Sequence, residues 1–259
     1  RMDIRTTVMK RPAKGWAHDG GSARVGTLLP LADILVGLGV DPAQLLAEAG
    51  VDPKVFDDPE NRLPLPVHNH LLALAVKRSG CQHIGLLVGQ LDGLPSIGLA
   101  GLLTRYSPDV ETALRSFVRY LHTQVRGAKS TLTVDGSVAT LNWEIYQPGL
   151  PANDQLSDGA LAVMFNILRE LCGPEWTPIE VHFAHREPAQ SQPFHSFFRT
   201  TLRFDAEEYA LRFSSSWLQH PVAQANAALQ RVLQKELDTI TARHEADFPE
   251  QVRSVLRSA

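Results

Sequence analysis

Few side chains in this sequence are spaced for catalysis. Gly93-Leu94-Pro95-Ser96-Ile97-Gly98 comes nearest to a nucleophile elbow, but G-x-S-x-G needs glycine two residues before the serine, where Leu94 stands. No phosphate-cradling glycine loop of the P-loop or dinucleotide type is found either, so no cofactor is expected. His182 and His185 form an H-x-x-H on an expected strand, where side chains three apart point to opposite faces and do not readily share a metal. His68 and His70, two apart on an expected helix, diverge as well. Glu207 and Glu208 fall at a turn and read as solvated. Cys81 and Cys172 lie far apart without a partner motif and read as free buried thiols. This inventory speaks against an enzyme and against a bound metal.

The overall balance points the same way. The 259 residues are 44% hydrophobic and 20% charged, enough to bury a sizeable core, and the formal net charge is −3. A protein that grips DNA by its own surface carries a basic patch that displaces counterions from phosphates. The helix-turn-helix-like stretch from Leu31 to Asp58 has the acids Asp33, Asp41, Glu48, Asp52, Asp57 and Asp58 against Lys54 as its one base. A recognition helix of that charge would meet phosphate repulsion, so these read as packing helices. No apolar run approaches the ~20 residues that span a bilayer, and the first residues lack the apolar centre of a secretory signal. The expectation is a cytoplasmic protein without membrane contact.

The periodicity supplies the scaffold. Residues 1–24, with Arg1, Arg5, Lys10, Arg11, Lys14 and Arg24, read as a flexible basic arm. Helical spacing then runs through Leu28, Leu31, Leu35 and Leu38, restarts at Asp41-Pro42 and Asp52-Pro53, and continues past Pro66 and from Ile84 to Leu91. The clearest helix starts at Ser107-Pro108, presents Val110, Ala113, Leu114, Phe117, Val118 and Leu121 on one face, and is expected to end at Gly127. The period then drops to two. Leu132 and Val134, a turn at Asp135-Gly136, and Leu141, Trp143 and Ile145 make a β-hairpin. A helix through Leu161, Phe165, Leu168 and Leu171 follows, then strands around Val181, Leu202 and Leu211. A last helix is expected from about Pro221 to His244, with Phe248-Pro249 as a hinge. The fold class is α+β: N-terminal helices, then a mostly antiparallel sheet interleaved with helices.

Three stretches, in this order, resemble AraC/XylS-type transcription regulators, in the branch with an arabinose-binding-like N-terminal module. They are Ile97-Gly98-Leu99-Ala100-Gly101 leading to Ser107-Pro108-Asp109-Val110-Glu111-Thr112-Ala113-Leu114, then Val181-His182-Phe183-Ala184-His185-Arg186-Glu187-Pro188, then Phe204-Asp205-Ala206-Glu207-Glu208-Tyr209-Ala210-Leu211-Arg212-Phe213 with Leu218 and Pro221 beyond. Asp109 stands where the family often has Thr, and Tyr209 where it often has Asn. The resemblance implies an effector-binding and dimerising α+β domain over 25–220, a linker or dimerisation helix over 221–247, and the start of a C-terminal helix-turn-helix domain at 248–259. It also implies a small-molecule effector, a homodimer, and DNA contact only through that C-terminal domain.

An effector between the sheet and the helices needs apolar walls with a few polar groups. Tyr106, Asn142, Trp143, Glu144, Tyr146, Phe165, His182 and Phe183 are the expected ligand-binding residues, and Leu229, Val232, Leu233, Leu237 and Ile240 the dimer or linker stripe. The alternative is a protein–protein interaction module without a small-molecule ligand.

Overall fold

The computed structural model describes residues 21–147, 150 and 154–258, with side chains described up to residue 242. Residues 1–20 of the expected basic arm lie outside the described residues. The end of that arm does not behave as an arm. Ser22–Arg24 forms β1, and Arg24 is buried.

Helices dominate the first half. After β1 come α1 (Leu31–Gly37) and α2 (Pro42–Ala49), where the Asp41 side chain accepts from the Ala43 amide and Gly50, at φ 68°, closes the helix. Strand β2 (Arg62–Pro64) pairs antiparallel with β1 and leads into α3 (Leu65–Ser79), α4 (Ile84–Gln90) and α5 (Gly98–Arg105). In α6 (Val110–Tyr120), Asp109 is the N-cap and its carboxylate accepts from the Thr112 amide at 2.7 Å. This helix stops at Tyr120, earlier than expected, because Leu121–Thr123 tightens into a 3₁₀ turn before the chain enters the sheet.

The sheet is built by β3 (Ala128–Lys129), β4 (Leu132–Asp135), β5 (Val138–Ile145), β6 (Glu180–His182), β7 (Thr201–Arg203) and β8 (Tyr209–Ser214). Between β5 and β6 runs α7 (Asp154–Cys172), and between β6 and β7 the short α8 (Gln192–Phe198), which has no counterpart in the sequence reading. The strand order is β3-β5-β8-β6-β7, with β4 also on β5; β6 and β7 are parallel and the other pairs antiparallel. Asp135 pairs with Val138, so the tight turn is Gly136-Ser137, with Gly136 at φ 56°. Register places Leu141 and Val181 on either side of Leu211, and all three are buried on one face.

The final helix, α9 (Ala227–Ser258), starts later than Pro221 because Asn226 supplies its cap, the side chain accepting from the amides of Ala228 and Leu229 at 3.1 Å. Residues before it are pinned to the start of α6, with the Val222 amide donating to the Pro108 carbonyl. The expected hinge at Phe248-Pro249 is not seen: the backbone is helical across it.

Apolar side chains segregate into separate clusters. The larger joins the sheet to α6, α7 and α8; a second gathers Val25, Leu28, Leu35, Leu45 and Leu71 from the N-terminal helices. Leu156 of α7 packs against both. A small third cluster of Ala100, Leu103, Tyr120 and Leu237 seats α9 on α5 and α6.

Candidate functional site

At the boundary between the two large clusters the helices α4 and α7 touch backbone to backbone. Gly85 and Gly89 face α7, and a Cβ on either would overlap the carbonyl oxygen of Gln155 or of Gly159. Gly85 donates its amide to Gln155 Oε1 at 2.8 Å, and Gln155 Nε2 donates to the Gln82 carbonyl at 2.9 Å. At the other end Asn166 Nδ2 donates to the carbonyls of Gly89, Gln90 and Asp92 at 3.2, 3.0 and 2.7 Å. Gln155 and Asn166 are about three helical turns apart, so one face of α7 satisfies orphan groups at both ends of α4.

Beside this contact the two clusters leave a cavity of about 100 Å³. Leu28, Leu72 and Val88 wall it from the N-terminal cluster; Ile97, Phe117, Val125 and Met164 wall it from the sheet cluster. Helix α7 contributes Leu156, Gly159, Ala160 and Val163, and Ala23 and Thr27 close it from the N-terminal side.

Among the described residues the lining includes no Asp, Glu, Lys or Arg. Its polar members are Thr27, His68, Gln124, Trp143 and Gln155. Gln124 is engaged, Oε1 accepting from an Arg24 guanidinium nitrogen at 2.5 Å. Arg24 also pairs with Glu60, and burial lowers its pKa. Two polar atoms differ. His68 Nδ1 and Trp143 Nε1 are buried without a partner among the described residues, on side chains 4% and 6% exposed. Burial pushes the His68 pKa down to about 4, so its ring is neutral at pH 7.

Of the residues expected to bind ligand, Trp143 lines this cavity; the other seven do not. Strand alternation is the main reason. On β5, Ala139, Leu141 and Trp143 face inward, so Asn142 and Glu144 face away. Asn142 accepts from Thr131 and donates to Glu208, and Glu144 pairs with Lys129 at 3.0 Å. Tyr146 is 56% exposed. Tyr106 caps the end of α5, its carbonyl accepting from the Asn226 amide. Phe165 and Phe183 belong to a packed aromatic group with Phe198. His182 holds Glu180 at 2.9 Å, and Glu180, bonded by Arg203 and His182, is depressed to about 2.

The sequence reading missed His68 as a wall residue, Gln155, and the pair His185–Asp158. His185 Nε2 lies 2.9 Å from Asp158 Oδ1 beneath Phe183, Phe194, Phe204 and Tyr209. His182 and His185 serve separate partners, Glu180 and Asp158, but β6 ends at His182, so His185 lies beyond the strand on which both were expected. Among the described residues no three His, Cys, Asp or Glu side chains gather as a metal site.

The residue pattern of the arabinose-binding domain of AraC transcription regulators, N-terminal, matches 39–222. The chain belongs to this family. The ornithine utilization regulator of Pseudomonas aeruginosa is 25% identical over 212 residues, covering 82% of this chain and 62% of that protein. The HTH-type transcriptional regulator VirS of Mycobacterium tuberculosis is 22% identical over 242 residues, covering 92% of this chain and 71% of that protein. The crystal structure of transcriptional regulator CdpR from Pseudomonas aeruginosa superposes with a TM-score of 0.56 at 16% identity, over 80% of this chain and 61% of that one, which shows a shared fold. The chain thus spans about 62% of the length of the first of these relatives; all three are named as regulators, VirS and CdpR as transcriptional regulators. In this AraC-type chain the matched range takes in the cavity wall from His68 to Met164 and leaves out β1 and α9. Among the described residues no single helix is long and apolar enough to cross a membrane.

Proposed function

We propose that this chain is the effector-sensing and dimerising region of an AraC-type regulator, with the cavity between α3, α4, α6, α7 and β5 as its effector site. One observation carries the reading: the cavity sits where two hydrophobic clusters meet, and two of its wall residues, His68 and Trp143, carry buried polar atoms without partners among the described residues. An occupant there touches both clusters at once. It shifts the balance between two arrangements of the clusters by whatever affinity it gains in one over the other. Helix α9, seated through Leu237 on α5 and α6, is placed to carry such a shift toward a helix-turn-helix domain that makes the DNA contact.

Thermal denaturation tests this. A specific small molecule stabilises the native state by mass action, by about 2.7 kcal/mol at a hundred times its dissociation constant, and so raises the melting temperature; Ala160→Phe, which fills the cavity, abolishes the shift. Screens across amino acids, sugars, fatty acids and aromatic acids that leave the melting temperature unmoved would remove the reading. The second reading, a protein-interaction module, is favoured by exposed apolar side chains such as Val36, Leu91 and Val232. It predicts binding that Ala160→Phe leaves intact.

A further inference from the structure

The cavity's own chemistry restricts what can enter it. Among the described residues its lining carries no ionised side chain, and Arg24, which reaches the lining residue Gln124, also holds Glu60. A carboxylate or ammonium placed among Leu72, Val88, Ile97 and Met164 would be stripped of water with no counter-charge. A neutral apolar body loses nothing in the same place. The polar atoms then set the second requirement. Trp143 Nε1 is a donor in every state, while neutral His68 presents at Nδ1 either a proton or a lone pair, depending on tautomer. A hydroxyl accepts from one and donates to or accepts from the other; a ketone oxygen can only accept. Such buried groups left without partners are costly, and a ligand that pairs them recovers that cost on binding.

Resting on the sensing role proposed above, we infer that the effector is an uncharged, largely apolar small molecule of the alcohol or phenol class, whose oxygen is read by Trp143 Nε1 and His68 Nδ1. The apolar walls hold its carbon skeleton, and the absence of buried charge in the lining excludes its acidic and basic analogues of equal length.

Trp143 supplies the readout. Its indole N–H resonance is assigned by its loss in Trp143→Phe and followed in ¹H–¹⁵N spectra at pH 7 with 1-hexanol, hexanoate and hexylammonium as matched probes. The expected result is a saturable downfield shift with 1-hexanol, and binding of both ions weaker by at least about tenfold. His68→Phe removes the unpaired ring nitrogen while keeping the volume apolar; it weakens 1-hexanol by roughly tenfold without lowering the melting temperature. Hexanoate binding as tightly as 1-hexanol, with Arg24→Met abolishing it, overturns the ligand class and leaves the effector site standing. Failure of every probe to perturb Trp143 overturns the site and the class together. The wild-type spectra decide this even if a variant does not fold.

Discussion

The amide of Gly85 donates to the side chain of Gln155 over 2.8 Å, and no side chain separates the two helices at that point. Helix α7 therefore caps α4 and packs on its bare backbone in the same place. Adding a methyl group at Gly85 forces the helices apart against the Gln155 carbonyl, whereas at Gly159 the nearest atom, the Gly85 oxygen, stands 3.0 Å away. Gly85→Ala is expected to cost about 1–3 kcal/mol and Gly159→Ala clearly less. Urea midpoints of the two variants check the order; equal losses would show that the contact is not tight.

Asp158 and His185 form a buried charged pair that gives stability a pH dependence. For His185, burial lowers the pKa, and the hydrogen bond and charge of Asp158 outweigh it, raising the ring to about 9, with Asp154 adding in the same direction. Tyr209, the other titratable neighbour, is protonated throughout and donates to Asp154 at 2.9 Å. The folded-state pKa of His185 stands above its unfolded value, so its contribution is present at pH 6.5 and is lost as pH rises through about 9; burial raises Asp158 to about 6, so the ionised pair exists only above that pH. A decline of about 1–2 kcal/mol between these limits, after allowance for solvent screening, is expected. Asp158→Asn flattens it. Stability measured by urea titration at pH 6.5 and 9.5 tests this, and a flat wild-type profile would remove His185 from the account.

The element types could be read from the sequence where hydrophobic period and cap chemistry agreed, as in α6 with Asp109 or β5 with its alternating Ala139, Leu141 and Trp143. Boundaries failed where a cap was passed over, as with Asn226 at the start of α9. Of the candidate cavity's lining, only Trp143 is among the residues expected to bind ligand. The other wall residues, such as Gly85, Gly159 and His68, come from helices far apart in sequence, and no local pattern records which faces meet. Asn142 and Glu144 of β5 are polar. On a strand with one buried face, that property places a side chain on the solvent side. The segment that carries Arg24 was read as an arm because basic residues near a terminus are usually solvated. Its pairing with β2, Gln124 and Glu60 is a tertiary fact.

Tyr120 ties α9 to the domain. Its hydroxyl donates to Asp238 Oδ1 at 2.5 Å, Arg119 reaches the same oxygen at 3.0 Å, and His122 Nε2 lies 3.1 Å from Thr241 Oγ1. Tyr120→Phe deletes one hydrogen bond to a charged acceptor and is expected to cost about 1.5–3 kcal/mol. The effect should be local. Amide hydrogen exchange is expected to quicken in α9 around Leu233–Thr241 with little change in α7, while uniform quickening through the sheet would show that Tyr120 supports the whole core instead.

On α9, Leu229 is 42% and Val232 66% exposed, and Leu99 and Leu102 are exposed on α5, against which that helix packs. Leu233 and Leu237 of the same stripe turn inward, so the expected dimer stripe divides between a domain contact and an open face. If the open face is the contact with a second copy, as proposed, a charge there is harmless to the fold and fatal to the dimer. Leu229→Glu with Val232→Glu should leave the unfolding free energy within about 0.5 kcal/mol of the unmutated protein's when both are compared as monomers. Sedimentation should then shift from dimer to monomer at micromolar concentration, because two like charges meet across a two-fold axis. Leu237→Ala provides the contrast: it opens the small cluster with Leu103 and Tyr120 and should lower stability by about 2–5 kcal/mol. A dimer that persists in the double glutamate variant would place the contact on another surface.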